Sequence, residues 1–380
     1  MAPRLQPFSP RSPVLRRTAA AMASLSAQFS NRNNLVVALC VIALLLVVLH
    51  SGPVNLSALP LSPTLPQDAS RWDFPVYSKT LSPMRKVLNG TEYVYQVPPS
   101  PRAVIFLAHG CNCKATFFWD KHPECQTCCG APEERAFVIE ALRKSYALIA
   151  ISSQNECWQK EDSRRAKLVL ESWIDEFTLT ELPLLGLGAS SGGYFISSFA
   201  KVVRFDAIVV MIAEGRFQSV PDSLYPPVLF VHMIKDEMRA KKIRERIPVL
   251  RKAGIEADEI QCKEIKISDD FFAKRIPYID VPTSTRLREF FLQSEYLDKR
   301  GHLKMDGRLM KWKAEMRSKG GQELLETLSR KSGNWEHHIC EELNVAFSFH
   351  EFTSRPTGKI IAWLESHVKM PPKITSESWR

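Results

Sequence analysis

Short runs of consecutive apolar, mostly β-branched residues recur along the chain at Ala103–Ala108 (AVIFLA), Ala147–Ile151, Leu184–Leu187, Ala207–Ala213 and Val228–Val231, with a further one around Ile260–Ile267. Between them lie amphipathic stretches at Glu133–Lys144, Arg164–Phe177, Gly193–Val203 and Lys241–Lys252. Apolar strands without polar alternation must be covered on both faces, and strands separated by helices pair in parallel. The pattern therefore predicts an α/β fold, a mostly parallel sheet with helices on both sides. Residues 268–335 break the rhythm with charged, helical-looking segments at Arg286–Lys299 and Leu309–Lys319. They read as a helical insertion before two last core elements, Asn344–Phe349, read as strand-like, and the helix Thr357–His367.

The N-terminal part follows a different pattern. Leu35–Leu49 is an unbroken apolar run of fifteen residues. That is shorter than the roughly 20 that span a typical bilayer, yet the 34 residues ahead of it are long for a cleaved signal peptide. A signal anchor over 35–50 is the expectation, followed by an uncharged, proline-rich stalk over 51–70 and a folded domain over 71–380.

Charge adds an orientation. The net charge of +10 includes five arginines in residues 1–67 and no acid there, leaving 46 basic against 41 acidic side chains beyond. A basic segment over 1–34 ahead of an apolar run places the N-terminus in the cytosol and the domain in a lumen. The short span fits the thinner membranes of the endoplasmic reticulum or Golgi. Two glycosylation sequons, at Asn55 and Asn89, fall on the luminal side. An acid-free, Arg- and Ser-rich leader is also the mark of a plastid or other organellar transit peptide, the second reading. The folded part has no block of like charges, and nucleic acid is excluded as an expected partner.

The chemistry concentrates at Gly188-Ala189-Ser190-Ser191-Gly192-Gly193, which follows the strand LPLLGL and precedes an apolar helix. A G-x-S-x-G turn in that context exposes its serine at a sharp, strained corner where flanking glycines are sterically required. Here the chain resembles the α/β-hydrolase superfamily, over roughly residues 75–368. The resemblance implies Ser190 as nucleophile, with Ser191 a distant second. Ala103–Ala108 runs into His109-Gly110, similar to the turn that supplies one oxyanion donor, which implies the N–H groups of Cys111 and Ser191 in that role. The usual form of that turn is replaced by His-Gly-Cys-Asn-Cys. Asp236, closing the segment that starts at Pro227, takes the place of the acid, with Glu237 as neighbour. His350, between VAFSF and the C-terminal helix, takes the place of the base ahead of His302, His337 and His338. The order Ser, Asp, His is the family's.

The resemblance implies hydrolysis or transfer of acyl esters without a cofactor, on a small-molecule or lipid-like substrate. A hydrolase-fold receptor without catalysis is the alternative. Only about a dozen residues separate the sixth and seventh strands, leaving no room for a lid there. Eight of the nine cysteines lie beyond the apolar run, five of them in the loop 111–129. In an oxidising lumen they read as disulfides, with a zinc site as the second reading.

Overall fold

A computed structural model describes residues 81–217 and 225–368, all within one compact unit of the chain, Ala69–Arg380. The expected basic segment, apolar run, stalk and sequon at Asn55 lie outside the described residues. Among those described, no helix is long and apolar enough to cross a membrane.

An eight-stranded sheet forms the centre: β1 (Met84–Leu88), β2 (Thr91–Gln96), β3 (Ala103–Ala108), β4 (Tyr146–Ile151), β5 (Leu184–Ala189), β6 (Ala207–Met211), β7 (Val228–Met233) and β8 (Ala257–Cys262). The spatial order is β1-β2-β4-β3-β5-β6-β7-β8. The first two strands and the β2–β4 pair are antiparallel, and every later pair is parallel. The β1–β2 hairpin was not visible as a hydrophobic run, because only β2 is substantially buried. Its turn is Asn89-Gly90, both at positive φ (47° and 75°), the two-residue connection that strand twist favours. The sequon residue Asn89 is exposed there.

Strand periodicity sends alternate residues to opposite faces. Ile105, Leu107, Leu148, Leu187 and Val209 pack beneath α1 (Pro132–Arg143) and the C-terminal helix Thr357–His367. Phe106, Ile149, Ile208 and Phe230 pack against α2 (Asp162–Glu176), α3 (Ser191–Phe199) and α4 (Glu237–Lys252). Phe106 alone meets the rings of Trp158, Phe195, Phe199 and Phe205. Burying each such side chain contributes about 1.5–3 kcal/mol.

Between β8 and the last helices, α5 (Phe271–Arg275), α6 (Val281–Gln293), α7 (Trp312–Ser318) and α8 (Gln322–Lys331) build a core of their own around Phe272, Phe291, Trp312 and Leu328. The expected strand-like element at Asn344–Phe349 is a correction. Its first four residues are the end of α9 (Trp335–Phe347). Trp335, Ile339, Leu343 and Ala346 recur at helical spacing and seal the insertion core, a signal that a short window around VAFSF misses. The strand expected around Ile260–Ile267 is β8, which ends at Cys262.

The helices α1 and α9 meet through buried acid. Glu133 and Glu134 on α1, and Glu341 and Glu342 on α9, are all buried. Arg275 of the insertion is the cation between them: its guanidinium donates to Glu133 and to Glu342. Glu133 also accepts from the N–H and hydroxyl of Ser354. For Glu342 the Arg275 contact offsets only part of the cost of burial, and no cation is paired with Glu134 or Glu341 among the described ion pairs. Burial pushes Glu134 up to about 7 and Glu342 up to about 8, and burial with the Glu134 charge beside it pushes Glu341 well above the ordinary carboxyl range. These groups keep protons in the folded protein that the unfolded chain releases near pH 4.5. Their stabilisation is complete below that pH and is lost as pH rises through 7 to 8. His109 and His338, held neutral by burial, act in the opposite sense, but only below about 6.5. Melting temperature is therefore expected to fall from pH 7 to 8.5, and to fall less steeply in Glu341→Gln, measured by calorimetry across that range. An unchanged slope in the variant would remove this pair from the account.

Candidate active site

The turn at Ser190 sits where β5 ends and α3 begins. Its φ of 53° and ψ of −113° place a non-glycine residue in a strained conformation. The strain is maintained by close backbone packing on both sides. A Cβ on Gly188 would lie 2.1 Å from the carbonyl oxygen of Gly192, and one on Gly192 would lie 2.1 Å from that of Ala108. Only hydrogen fits at either position. The Ser190 N–H donates to the carbonyl of Met211 at 2.9 Å, pinning the corner to the end of β6. Ile212, the next residue, is itself at φ 45°, unusual for a β-branched side chain.

Three of the sequence-derived residues come together here. Ser190 Oγ lies 3.0 Å from His350 Nε2, and His350 Nδ1 lies 3.2 Å from Asp236 Oδ2. A proton on Nδ1 leaves Nε2 as the acceptor facing the serine hydroxyl. Asp236 lies just past β7 and is the N-cap of α4, accepting from the N–H of Arg239 at 3.3 Å. Although burial acts to raise its pKa, hydrogen bonds from His350 and Arg239 and the Arg239 charge hold Asp236 down to about 2. It is an anion throughout the neutral range. Glu237, the neighbouring candidate, lies in the first turn of α4, and no hydrogen bond or ion pair links it to His350 among the described residues.

His350 follows a helix rather than the expected strand. Ser348, at φ 64°, ends α9 in the left-handed conformation, and His350 is also at positive φ, 42°. Arg308, from the insertion's Gly307–Leu309 turn, donates to the carbonyls of Phe349 (2.5 Å) and His350 (3.0 Å). That clamp was not foreseen, since nothing in the local sequence links Arg308 to a loop about forty residues on. The rival histidines are accounted for elsewhere. His338 is buried against Tyr278, His337 packs edge-on to Phe117, and His302 lies in the insertion beside Asp298.

The turn after β3 is organised by His109. Burial pushes this imidazole down to about 4, so it is neutral and is no acid–base group at ordinary pH. Its Nδ1–H donates to the carbonyl of Gly110 (2.6 Å), and its Nε2 accepts from the N–H of Ser153 (2.9 Å). In a trans peptide the carbonyl and the following N–H point in opposite directions. With the Gly110 carbonyl turned to the buried imidazole, the Cys111 N–H is turned away from it. Gly110 itself is beside Ser190, since a Cβ on it would sit 3.8 Å from that of the serine. Ser191 is the first residue of α3, where the N–H has no partner within the helix.

The cysteines divide. Cys111 is bonded to Cys157 and Cys125 to Cys128, whereas Cys113, Cys129, Cys262 and Cys340 are thiols. The reading of the whole loop as disulfide-bonded is thereby corrected: Cys111 pairs outside the cluster, and two cluster members stay reduced. Burial raises the Cys113 and Cys129 thiols, the latter to about 12, so both stay protonated and unreactive at neutral pH. Among the described residues no group of three or more His, Cys, Asp or Glu is placed to hold a metal ion. The Cys111–Cys157 bridge is reinforced by the Asn112 N–H donating to Glu156 and by the Trp158 indole donating to the His109 carbonyl. Trp158 in turn stacks on Phe195 of α3, with ring centres 4.0 Å apart.

A mostly parallel eight-stranded sheet with an antiparallel second strand, and a strained serine at the corner after the fifth, make this an α/β-hydrolase fold. No protein-family model and no curated protein matches the sequence. Among solved structures the chain is similar to a highly thermostable carboxyl esterase from Bacillus coagulans, at 8% identity over 48% of this chain and 90% of that one, with a TM-score of 0.37. It is similar to an esterase from Pyrococcus furiosus at 9% identity over 56% and 92%, with a TM-score of 0.37. It is also similar to an acylaminoacyl peptidase from Pyrococcus horikoshii at 13% identity over 57% and 42%, with a TM-score of 0.34.

The corner's steric requirement is open to test. Gly192→Ala is expected to cost at least about 1–3 kcal/mol, because the methyl group meets backbone that cannot move aside. Gly333→Ala, with nothing within 4 Å of the added carbon, should stay within about 0.5 kcal/mol of wild type. Denaturant unfolding of the two variants makes the comparison, and equal stability would contradict the packing described for the turn.

Proposed function

We propose that the protein is a serine hydrolase of carboxylic esters, with Ser190 as nucleophile, His350 as general base, Asp236 as the carboxylate that orients it, and the N–H groups of Cys111 and Ser191 as oxyanion donors. The observation that carries this reading is the continuous chain from Ser190 Oγ through His350 to Asp236, with the serine at a strained corner.

The chemistry is acyl transfer in two halves. His350 Nε2 takes the hydroxyl proton as Ser190 Oγ attacks the ester carbonyl, and the two backbone donors stabilise the charge that develops on its oxygen. The imidazolium, paired with Asp236, then protonates the leaving alcohol. Water activated by the same imidazole releases the acid and restores the serine. An alcohol in the place of water would make the product a new ester. Met238 and Leu309 lie close in sequence to Asp236 and Arg308, and both are exposed, at 75% and 73%. Exposed apolar side chains of this kind suit the alkyl portion of a small-molecule or lipid-like ester.

The same reading places the domain in the lumen of the early secretory pathway, anchored by the run at Leu35–Leu49. Two disulfides in the described residues support an oxidising compartment, and the exposed Asn89 is accessible to glycosylation.

A fluorophosphonate probe tests the chemistry directly. Wild type should label and hydrolyse short-chain p-nitrophenyl esters. Ser190→Ala should lose labelling, and Ser190→Ala and His350→Ala should each lose at least about 10³-fold in turnover without a change in fold. A folded wild type that neither labels nor turns over, or a Ser190→Ala variant that still labels, would overturn the assignment and favour a non-catalytic ligand-binding protein.

A further inference from the structure

The acid of the triad is not devoted to the histidine. Asp236 Oδ2 accepts from His350 Nδ1 at 3.2 Å and from Arg239 Nε at 2.9 Å, so one oxygen serves both partners. The guanidinium is held in that pose from its other end. Arg239 Nη1 donates to Glu214 Oε2 at 2.7 Å and lies 3.0 Å from the Tyr194 hydroxyl, which itself donates to Glu214. Lys242 donates to the second oxygen of Glu214 at 3.1 Å. Four elements thus meet: the β7–α4 turn through Asp236, α4 through Arg239 and Lys242, the segment after β6 through Glu214, and α3, immediately following the nucleophile, through Tyr194.

A carboxylate that faces only an imidazole stabilises the imidazolium in full. One that faces an imidazole and a guanidinium has part of its charge already balanced, and the added positive charge disfavours a second cation close by. From this geometry we propose that Arg239 is a positioning residue for the carboxylate that faces His350: it locks Asp236 in one orientation while sharing its charge, so that removing the guanidinium strengthens the carboxylate's hold on the imidazole. The proposal rests on the hydrolase reading for its consequence in catalysis, but the charge arrangement it invokes is independent of turnover. Other charges near His350 act differently. Glu351, next in sequence, is itself held toward neutrality by burial, and Arg308 meets the loop at its backbone carbonyls rather than at the ring.

The network separates charge from structure. Arg239→Gln removes the cation; Arg239→Lys keeps it but loses the fork. Glu214→Gln removes the anion that offsets Arg239, whereas Tyr194→Phe alters a contact without altering charge. The rate of fluorophosphonate labelling against pH reads the acid limb set by the base. Arg239→Gln is expected to move that limb up by about one pH unit. Glu214→Gln should move it down by a smaller amount, and Arg239→Lys and Tyr194→Phe should leave it near the wild-type position. Displacements in one common direction, or loss of rate with a stationary limb, would reduce Arg239 to a structural contact and overturn the proposal. The Cε1–H resonance of His350, assigned through His350→Gln, gives the same titration by NMR without any reaction. A wild type that fails to label but whose His350 resonance shifts as stated would sink the enzyme reading and leave the electrostatic one standing.

Discussion

The close backbone approach at the end of β5 is the constraint on which the rest of the site depends. Gly192 rests against the carbonyl of Ala108, and Gly188 against that of Gly192, leaving room for no side chain at either residue. Three consequences follow from that contact. Ser190 is forced to positive φ with its hydroxyl projecting from the corner. The start of α3 is brought against the end of β3, so that Gly110 lies beside Ser190. The first turn of α3 then packs its Gly192 against the carbonyls of Ala108 and His109, at the turn after β3. Backbone strain of this kind, about 1–3 kcal/mol per residue, persists only where surrounding structure fixes it. Here the fixing is done by parallel strands buried on both faces.

The long-range half of the site is built by different means. Asp236 is delivered by β7 and immobilised as a helix cap, a local device that any sequence with an aspartate at a helix start can use. His350 has no strand beside it and no regular secondary structure of its own. It occupies a positive-φ loop whose carbonyls are held by Arg308, and whose continuation is held by Glu133 through Ser354. Glu133 is joined to the insertion through Arg275. The insertion, which interrupts the α/β rhythm in the sequence, is therefore the frame that keeps the imidazole within 3.0 Å of the serine.

What the amino-acid pattern made legible follows from how local each signal is. Apolar runs such as AVIFLA identify strands because burial on both faces demands every residue, and the glycines around Ser190 identify the corner because the steric need is local. Ser190, Asp236 and His350 were singled out by the resemblance rather than by a local signal, and the strand expected ahead of His350 is a helix. The strand-like reading of Asn344–Phe349 failed because a six-residue window cannot separate the end of a helix from a strand. The stripe that settles it begins at Trp335, nine residues earlier. The partner of Cys111 could not be read at all. Its pairing with Cys157 depends on β3 and β4 being adjacent and parallel, a fact of topology with no trace in cysteine spacing. Arg239 was missed because an arginine three residues after an aspartate on a helix is commonplace, and its meaning appears only when Glu214 and Tyr194 converge from two other elements.

That convergence bears on how the two halves of the site communicate. Ser190 and Asp236 are carried by neighbouring regions of the sheet, but no backbone hydrogen bond joins β5 to β7, since β6 lies between them. Tyr194, one turn into the helix that begins at Ser191, and Arg239, one turn into the helix capped by Asp236, both reach Glu214 just beyond β6. The segment that follows the strand lying between Ser190 and Asp236 thus supplies the residue that ties their helices together. Such a tie restricts the acid to one orientation at the cost of sharing its charge. A network of short polar contacts in a half-buried setting gains directionality that apolar packing lacks. The histidine between them then needs only to be brought to the correct depth, and that task falls to Arg308.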